Sequence, residues 1–166
     1  MSKAAKELPR YSSRSFPPYT FVPGENPHPV RDPEGHSYGQ FEHDAIQFEP
    51  AQWQSCDEYL FGIDLFNYGY WWEAHEALES VWIAAGRTSQ TGYFVQGLIQ
   101  IAVAQLKQKQ SFSDVARRMA ADGLDKMHLI NREFLGIDVT AFKAQVQTFI
   151  QSPADHCITI TLNLQA

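Results

Sequence analysis

Cysteine is nearly absent from this chain: Cys56 and Cys157 stand a hundred residues apart and form no CxxC pair. That excludes a disulfide scaffold and a cysteine-based zinc site, and leaves two ordinary thiols. No stretch approaches the roughly 18 uninterrupted apolar residues of a membrane span, and MSKAAKELPR has no apolar core of a signal peptide. The expectation is a chain with no membrane association that works in the cytoplasm. Charged residues make up only 19% and the net charge is −6, so the overall basic footprint of a nucleic-acid binder is missing. Lys and Arg are wholly lacking between residues 32 and 86, a segment with eleven acidic side chains. Carboxylates that leave water need partners, so this segment is expected to dock on later cations such as Arg87, Lys107, Arg117 or Arg118, or else to form a solvated acidic face. No phosphate-binding glycine loop and no GxSxG occur.

What is present suffices for one domain-sized core: 166 residues, 44% hydrophobic, with 11 Phe, 7 Tyr and 4 Trp. Seven of the nine prolines fall before residue 34, which forbids a regular helix there. Tyr11, Phe16, Tyr19, Phe21, Tyr38 and Phe41 are interleaved with them, and such aromatics are unusual in a free tail. Residues 1–50 therefore read as an extended strap over a helical domain at 51–166, with a flexible tail as the alternative for residues 1–15.

Helical periodicity starts near residue 52. The first helix is expected to open with a capping box, Ser55 and Glu58, and to bury Tyr59, Ile63 and Phe66. A second runs from about Tyr70 to Ala85 and stops at Gly86; a third covers about Gly92 to Gln108. The fourth begins near Ser113 and carries Ala116, Ala120, Gly123, Met127, Ile130 and Phe134 at helical spacing until Gly136. Asp138 caps a fifth, with Phe142, Val146 and Phe149 or Ile150 inward. After Pro153, residues 158–164 alternate apolar and polar, the period of a half-buried strand. Tyr19–Val22 of the strap or a second subunit could pair with it. The fold class is all-α: a compact bundle of about five helices, an extended proline-rich strap and a short C-terminal strand.

The second helix, YWWEAHEALESVWIAA, carries the only constellation suited to chemistry. His75 and Glu79 lie one turn apart beside the apolar stripe, flanked by Trp82 on one side and Trp72 and Ile83 on the other, with Glu76 bordering them. Helical phase leaves Glu73, Ser80 and Ala84 on the solvated arc. On the third helix Tyr93, Gln96, Gln100 and Lys107 share a face, which is either solvated or lines a site with His75 and Glu79. The sequence HEALE resembles the zincin HExxH but has Glu79 in place of the second histidine, and the Glu-x-x-His of di-iron helices is absent. His75 and Glu79 could still offer two ligands to a divalent metal, with a third from Glu76, His36 or His43.

LFNYGYWWEAHEALESVW and QGLIQIAVAQLK, preceded by YTFVPGENPHPVRDPEGHSYG, resemble the bacterial domain-of-unknown-function family numbered three hundred and nine. The resemblance implies a small all-helical domain with no established activity. It marks Trp72, Glu73, His75, Glu76 and Glu79 on the second helix, and Gln96, Gly97 and Gln100 on the third. Some relatives have His at the position of Lys107, so Lys107 here favours an ion pair with Glu76 or Glu79, or an anion site, over a metal.

Two functions remain open. One is a non-catalytic structural or interaction domain, which would allow self-association, with a buried Glu/His/Gln/Lys cluster fixing the helices. The other is a small-molecule site or divalent-metal-dependent hydrolase with His75, Glu76 and Glu79 as catalytic candidates and Trp72, Glu73, Gln96, Gln100 and Lys107 as ligand contacts.

Overall fold

The computed structural model describes residues 7–40 and 45–165, so Phe41 and His43 lie outside the described residues. A 3₁₀ turn at Pro50–Ser55 leads into five helices: α1 Asp57–Asn67, α2 Trp71–Ala85, α3 Gln90–Lys109, α4 Ser113–Lys126 and α5 Val139–Gln151. Strands β1 (Glu133–Phe134) and β2 (Ile137–Asp138) form a two-residue hairpin between α4 and α5. Consecutive helices are packing neighbours along the series from α1 to α5. The mostly helical bundle expected from the periodicity is the fold.

The apolar faces sit where the pattern puts them: Tyr59, Ile63 and Phe66 of α1, Ala74, Leu78 and Val81 of α2, and Phe142, Val146 and Phe149 of α5 are all buried. Gly86, at φ 86°, terminates α2, and the Asp138 carboxylate accepts from Ala141 N at the start of α5. Gly97 and Gly123 let α3 and α4 approach closely. A Cβ on Gly97 would lie 2.8 Å from the Gly123 carbonyl oxygen.

Three expectations about the elements need correction. The capping box does not form, because Ser55 ends the 3₁₀ turn and Cys56 occupies the N-cap of α1. Glu58 instead reaches Arg14 of the strap at 2.6 Å. Helix α4 stops at Lys126, so Met127, Ile130 and Phe134 continue its apolar stripe from turns and the hairpin rather than from a helix. The hairpin turns through Leu135 and Gly136, both at positive φ, with Gly136 against the Trp53 ring.

The third correction concerns the C-terminal segment. Ile158, Ile160 and Leu162 are buried in strict alternation, as a half-buried strand requires, yet the ladder is a single antiparallel bridge from Leu162 to Ile137. Strap residues 19–22 are not its partner. Helix side chains take over most of the ladder's role. Gln105 of α3 accepts from Ile158 N at 2.9 Å, and Gln145 of α5 bonds both the N–H and the carbonyl of Thr159. Asn67 of α1 bonds both backbone groups of Ile160 at 2.7 Å, and Leu162 N donates to Tyr11 Oη. A buried backbone group needs some partner, and an amide side chain supplies the same donor and acceptor as a peptide.

The acidic segment is partnered from the opposite end of the chain to the one expected. Asp64, fully buried on α1, accepts from Arg10 Nε, Tyr11 N and Ser12 N at 2.8–2.9 Å. Arg87 lies over the Trp82 ring and Lys107 over that of Phe112, while Arg117 pairs with Asp114 on its own helix. The strap reaches these carboxylates first because its aromatics seat it there: Phe16 stacks at 4.8 Å on Tyr70, and the Arg10 guanidinium covers Phe16. Residues 10–12 are therefore held, while Tyr38 stays 56% exposed and covers no core.

Candidate functional site

Helix α2 presents two different carboxylate and imidazole groupings on neighbouring faces. On the first, His75 Nδ1 lies 3.2 Å from Glu76 and Nε2 lies 3.8 Å from Glu79. One potential ligand atom from each of the three residues falls within 4.8 Å of the others. All three side chains are about one-third exposed, so the tryptophans beside them do not close the face as the helical phase suggested.

Burial works against the His75 imidazolium, but the Glu76 carboxylate that bonds it, the Glu79 charge and a backbone bond with Trp72 outweigh it, so the imidazole pKa is raised. A raised folded pKa means that the imidazolium stabilises the fold fully below the unfolded value and loses that contribution as pH rises through the folded one. In metal-free protein the His75 ring protons are therefore expected to titrate at a higher pH by NMR than those of a histidine peptide. Glu76→Gln should bring the midpoint down, and a midpoint unmoved by that change would remove the pairing.

Of the α3 residues expected to join His75 and Glu79, two are placed away from the carboxylates of α2. Gln96 and Gln100 are half-buried, but the buried Gln100 Oε1 has no hydrogen-bond partner, and Lys107 sits 5.9 Å above the Phe112 ring. A stripe of polar residues on α3 shares a phase with itself, not necessarily with the stripe on α2. His36 does not join His75 either, because both of its ring nitrogens are engaged elsewhere.

That engagement builds the second grouping, on the arc of α2 read as solvated. Glu73 and Ser80 are in fact buried, and strap residues 21 and 36 lie on Glu73. Glu73 Oε1 accepts from Phe21 N at 2.8 Å and meets His36 Nε2 at 2.9 Å, while His36 Nδ1 faces the Ser37 hydroxyl at 2.8 Å. Both side chains of the pair are about 95% buried. Phe21 and His28 both pack edge-on against Trp72, and Tyr19 lies 4.8 Å from the His36 ring. Between this clasp and helices α1 and α2 opens a cleft of about 260 Å³, lined by Arg14, Glu58, His36, Trp72, Glu73 and Glu76 among others. Glu76 thus borders both groupings.

Chemically, the first grouping can hold a cation or move a proton, and the second can hold a ligand. Burial raises both cysteine thiols above their ordinary value, which disfavours the thiolate. Periodicity missed Asp64, Asn67 and Gln105. Gln105 did leave a signal: it follows Leu98 by seven residues and Ile101 by four, a polar residue inside an apolar stripe.

Residues 59–119, which contain α2 and α3, match the family described as a domain of unknown function, DUF309. The strap lies outside the matched residues. No curated protein matches the chain. Among the described residues, no helix is long and apolar enough to cross a membrane.

Proposed function

We propose that this protein binds one divalent metal ion on α2 through His75, Glu76 and Glu79, and uses it as an open site for a small substrate. The observation that carries the reading is the convergence of one imidazole and two carboxylates to within 4.8 Å on a face that solvent can reach. One nitrogen and two oxygen donors suit a borderline or hard ion such as Zn²⁺ or Mn²⁺. Three protein ligands leave coordination positions for water, the arrangement by which metals generate a nucleophile at neutral pH, so hydrolysis is the reaction class that fits.

Dialysis against a chelator followed by titration with ZnCl₂ and MnCl₂ tests this. One equivalent of either ion should bind by calorimetry, and His75→Ala should weaken it at least tenfold, while a chain that takes up neither ion sinks the reading.

A second reading, a non-catalytic structural or interaction domain, draws support from the clasps that Asp64 and Glu73 make with the strap. They would give the acidic residues a purely architectural role. It is favoured over the first if the His75→Ala chain folds and melts differently but binds metal no worse.

A further inference from the structure

We propose that Ser37, His36 and Glu73 form a hydrolytic site apart from the metal-binding face, in which the Ser37 hydroxyl takes an acyl group from a small neutral ester. The His36 imidazole is held between two partners. Its Nε2 lies 2.9 Å from Glu73 Oε1, and its Nδ1 lies 2.8 Å from Ser37 Oγ. A carboxylate oxygen accepts, and Oε1 already does so from Phe21 N, so the ring proton of His36 sits on Nε2. Nδ1 is then the lone pair that faces Ser37, and the hydroxyl donates to it. A hydroxyl bonded to a base that a buried carboxylate orients is the arrangement that activates a serine nucleophile. The two ring nitrogens exchange the roles they have in serine proteases, but either one can accept the proton.

The parts are fixed before a substrate arrives. The His36 side chain is 4% exposed, its backbone N–H donates to Tyr19 Oη, and Ser37 N donates to the Pro29 carbonyl at 2.9 Å. Ser37 itself is half-buried and lines the cleft of about 260 Å³. Arg14 lines the same cleft; it gives Glu58 one nitrogen at 2.6 Å, and a guanidinium has further N–H groups to meet an oxyanion. Pro17, Val30 and Trp72 supply apolar wall, and the volume is just under the roughly 300 Å³ at which ligand pockets usually begin, which suits a short acyl chain.

In the acylation step Ser37 Oγ attacks the ester carbonyl and its proton passes to Nδ1, while Glu73 pairs with the imidazolium that forms. The tetrahedral adduct collapses, and the alkoxy group leaves with that proton as the alcohol. Water then attacks the acyl-serine through the same base, the acid departs, and the proton returns to Ser37. The sum is ester plus water giving acid plus alcohol.

Diisopropyl fluorophosphate, which an activated serine attacks with loss of fluoride, is the probe, used on the full chain after dialysis against a chelator so that no metal contributes. Intact mass spectrometry should show one equivalent bound, and peptide mapping should place it on Ser37. Ser37→Ala should abolish the labelling. Glu73→Gln keeps an acceptor oxygen for Phe21 N and His36 Nε2 but removes the charge that pairs the imidazolium, so labelling of the folded variant should slow at least tenfold; a purely architectural carboxylate would leave that rate unchanged. Should the variant fail to fold, p-nitrophenyl acetate on the wild-type chain is the second readout, with a burst of nitrophenolate and an acetyl group on Ser37 expected. Three results overturn the proposal: a wild-type Ser37 that takes neither label, which leaves its hydroxyl a structural partner of Nδ1; labels found only on other residues; or equal labelling rates in folded Glu73→Gln and wild type.

Discussion

Asp64→Ala should lower the unfolding free energy by roughly 2–5 kcal/mol. The carboxylate is fully buried and accepts from two strap amides, Tyr11 N and Ser12 N, besides Arg10 Nε. Removing it strands a buried amide at Ser12 and a partly buried one at Tyr11, each worth about 1–3 kcal/mol when left unpaired. Arg10 is different, since its side chain is one-third exposed and can return to water. Arg10→Ala is therefore expected to cost only about 1 kcal/mol, part of it from the lost contact with Phe16. Asp64→Asn should fall between them, since its amide keeps one acceptor but turns a donor toward strap donors. Urea midpoints at constant m-value give the order, and Arg10→Ala equalling Asp64→Ala would show that charge pairing rather than amide capture seats the strap.

The second large effect is expected at Asn67, whose side chain bonds both the N–H and the carbonyl of Ile160 at 2.7 Å. Asn67→Ala leaves two buried backbone groups without partners and should cost about 2–5 kcal/mol, with earlier proteolytic cleavage in residues 152–165. The isosteric Asn67→Asp should be no better. It keeps the acceptor for Ile160 N but sets a carboxylate oxygen against the Ile160 carbonyl, and it buries a charge. An Asp variant as stable as the wild type at neutral pH would mean that the pairing is not what fixes the tail.

How much of this was legible follows from what periodicity measures. It reports which residues of one helix share a face, so the apolar stripes of α1, α2 and α5, the stop at Gly86 and the cap at Asp138 could be read directly. It does not report what covers a face. Glu73 therefore fell on the arc expected to be solvated, although strap residues 21 and 36 lie on it, and His75 and Glu79 were expected deeper than they are. The adjacency of His75, Glu76 and Glu79 was legible because it is local. The partners of Asp64, Glu73 and Asn67 were not, since they lie 52, 37 and 93 residues away and no spacing rule connects them. The end of α4 was missed for a related reason: an apolar stripe can continue at helical spacing through turns that are not helix.

Asp64 and Asn67 are three residues apart on α1, so one short helix receives both a segment near the start of the sequence and one near its end. During synthesis the strap can be seated as soon as α1 has formed, whereas the tail contact must wait for about ninety further residues. Tyr11, fixed beside Asp64, then accepts from Leu162 N across 151 positions of sequence. Contacts of such separation close late and slow the overall folding rate. The rate-limiting step is thus expected to be the arrival of the tail on an already assembled α1, and a chain released before residue 160 would fold only to a state with Asn67 unmet.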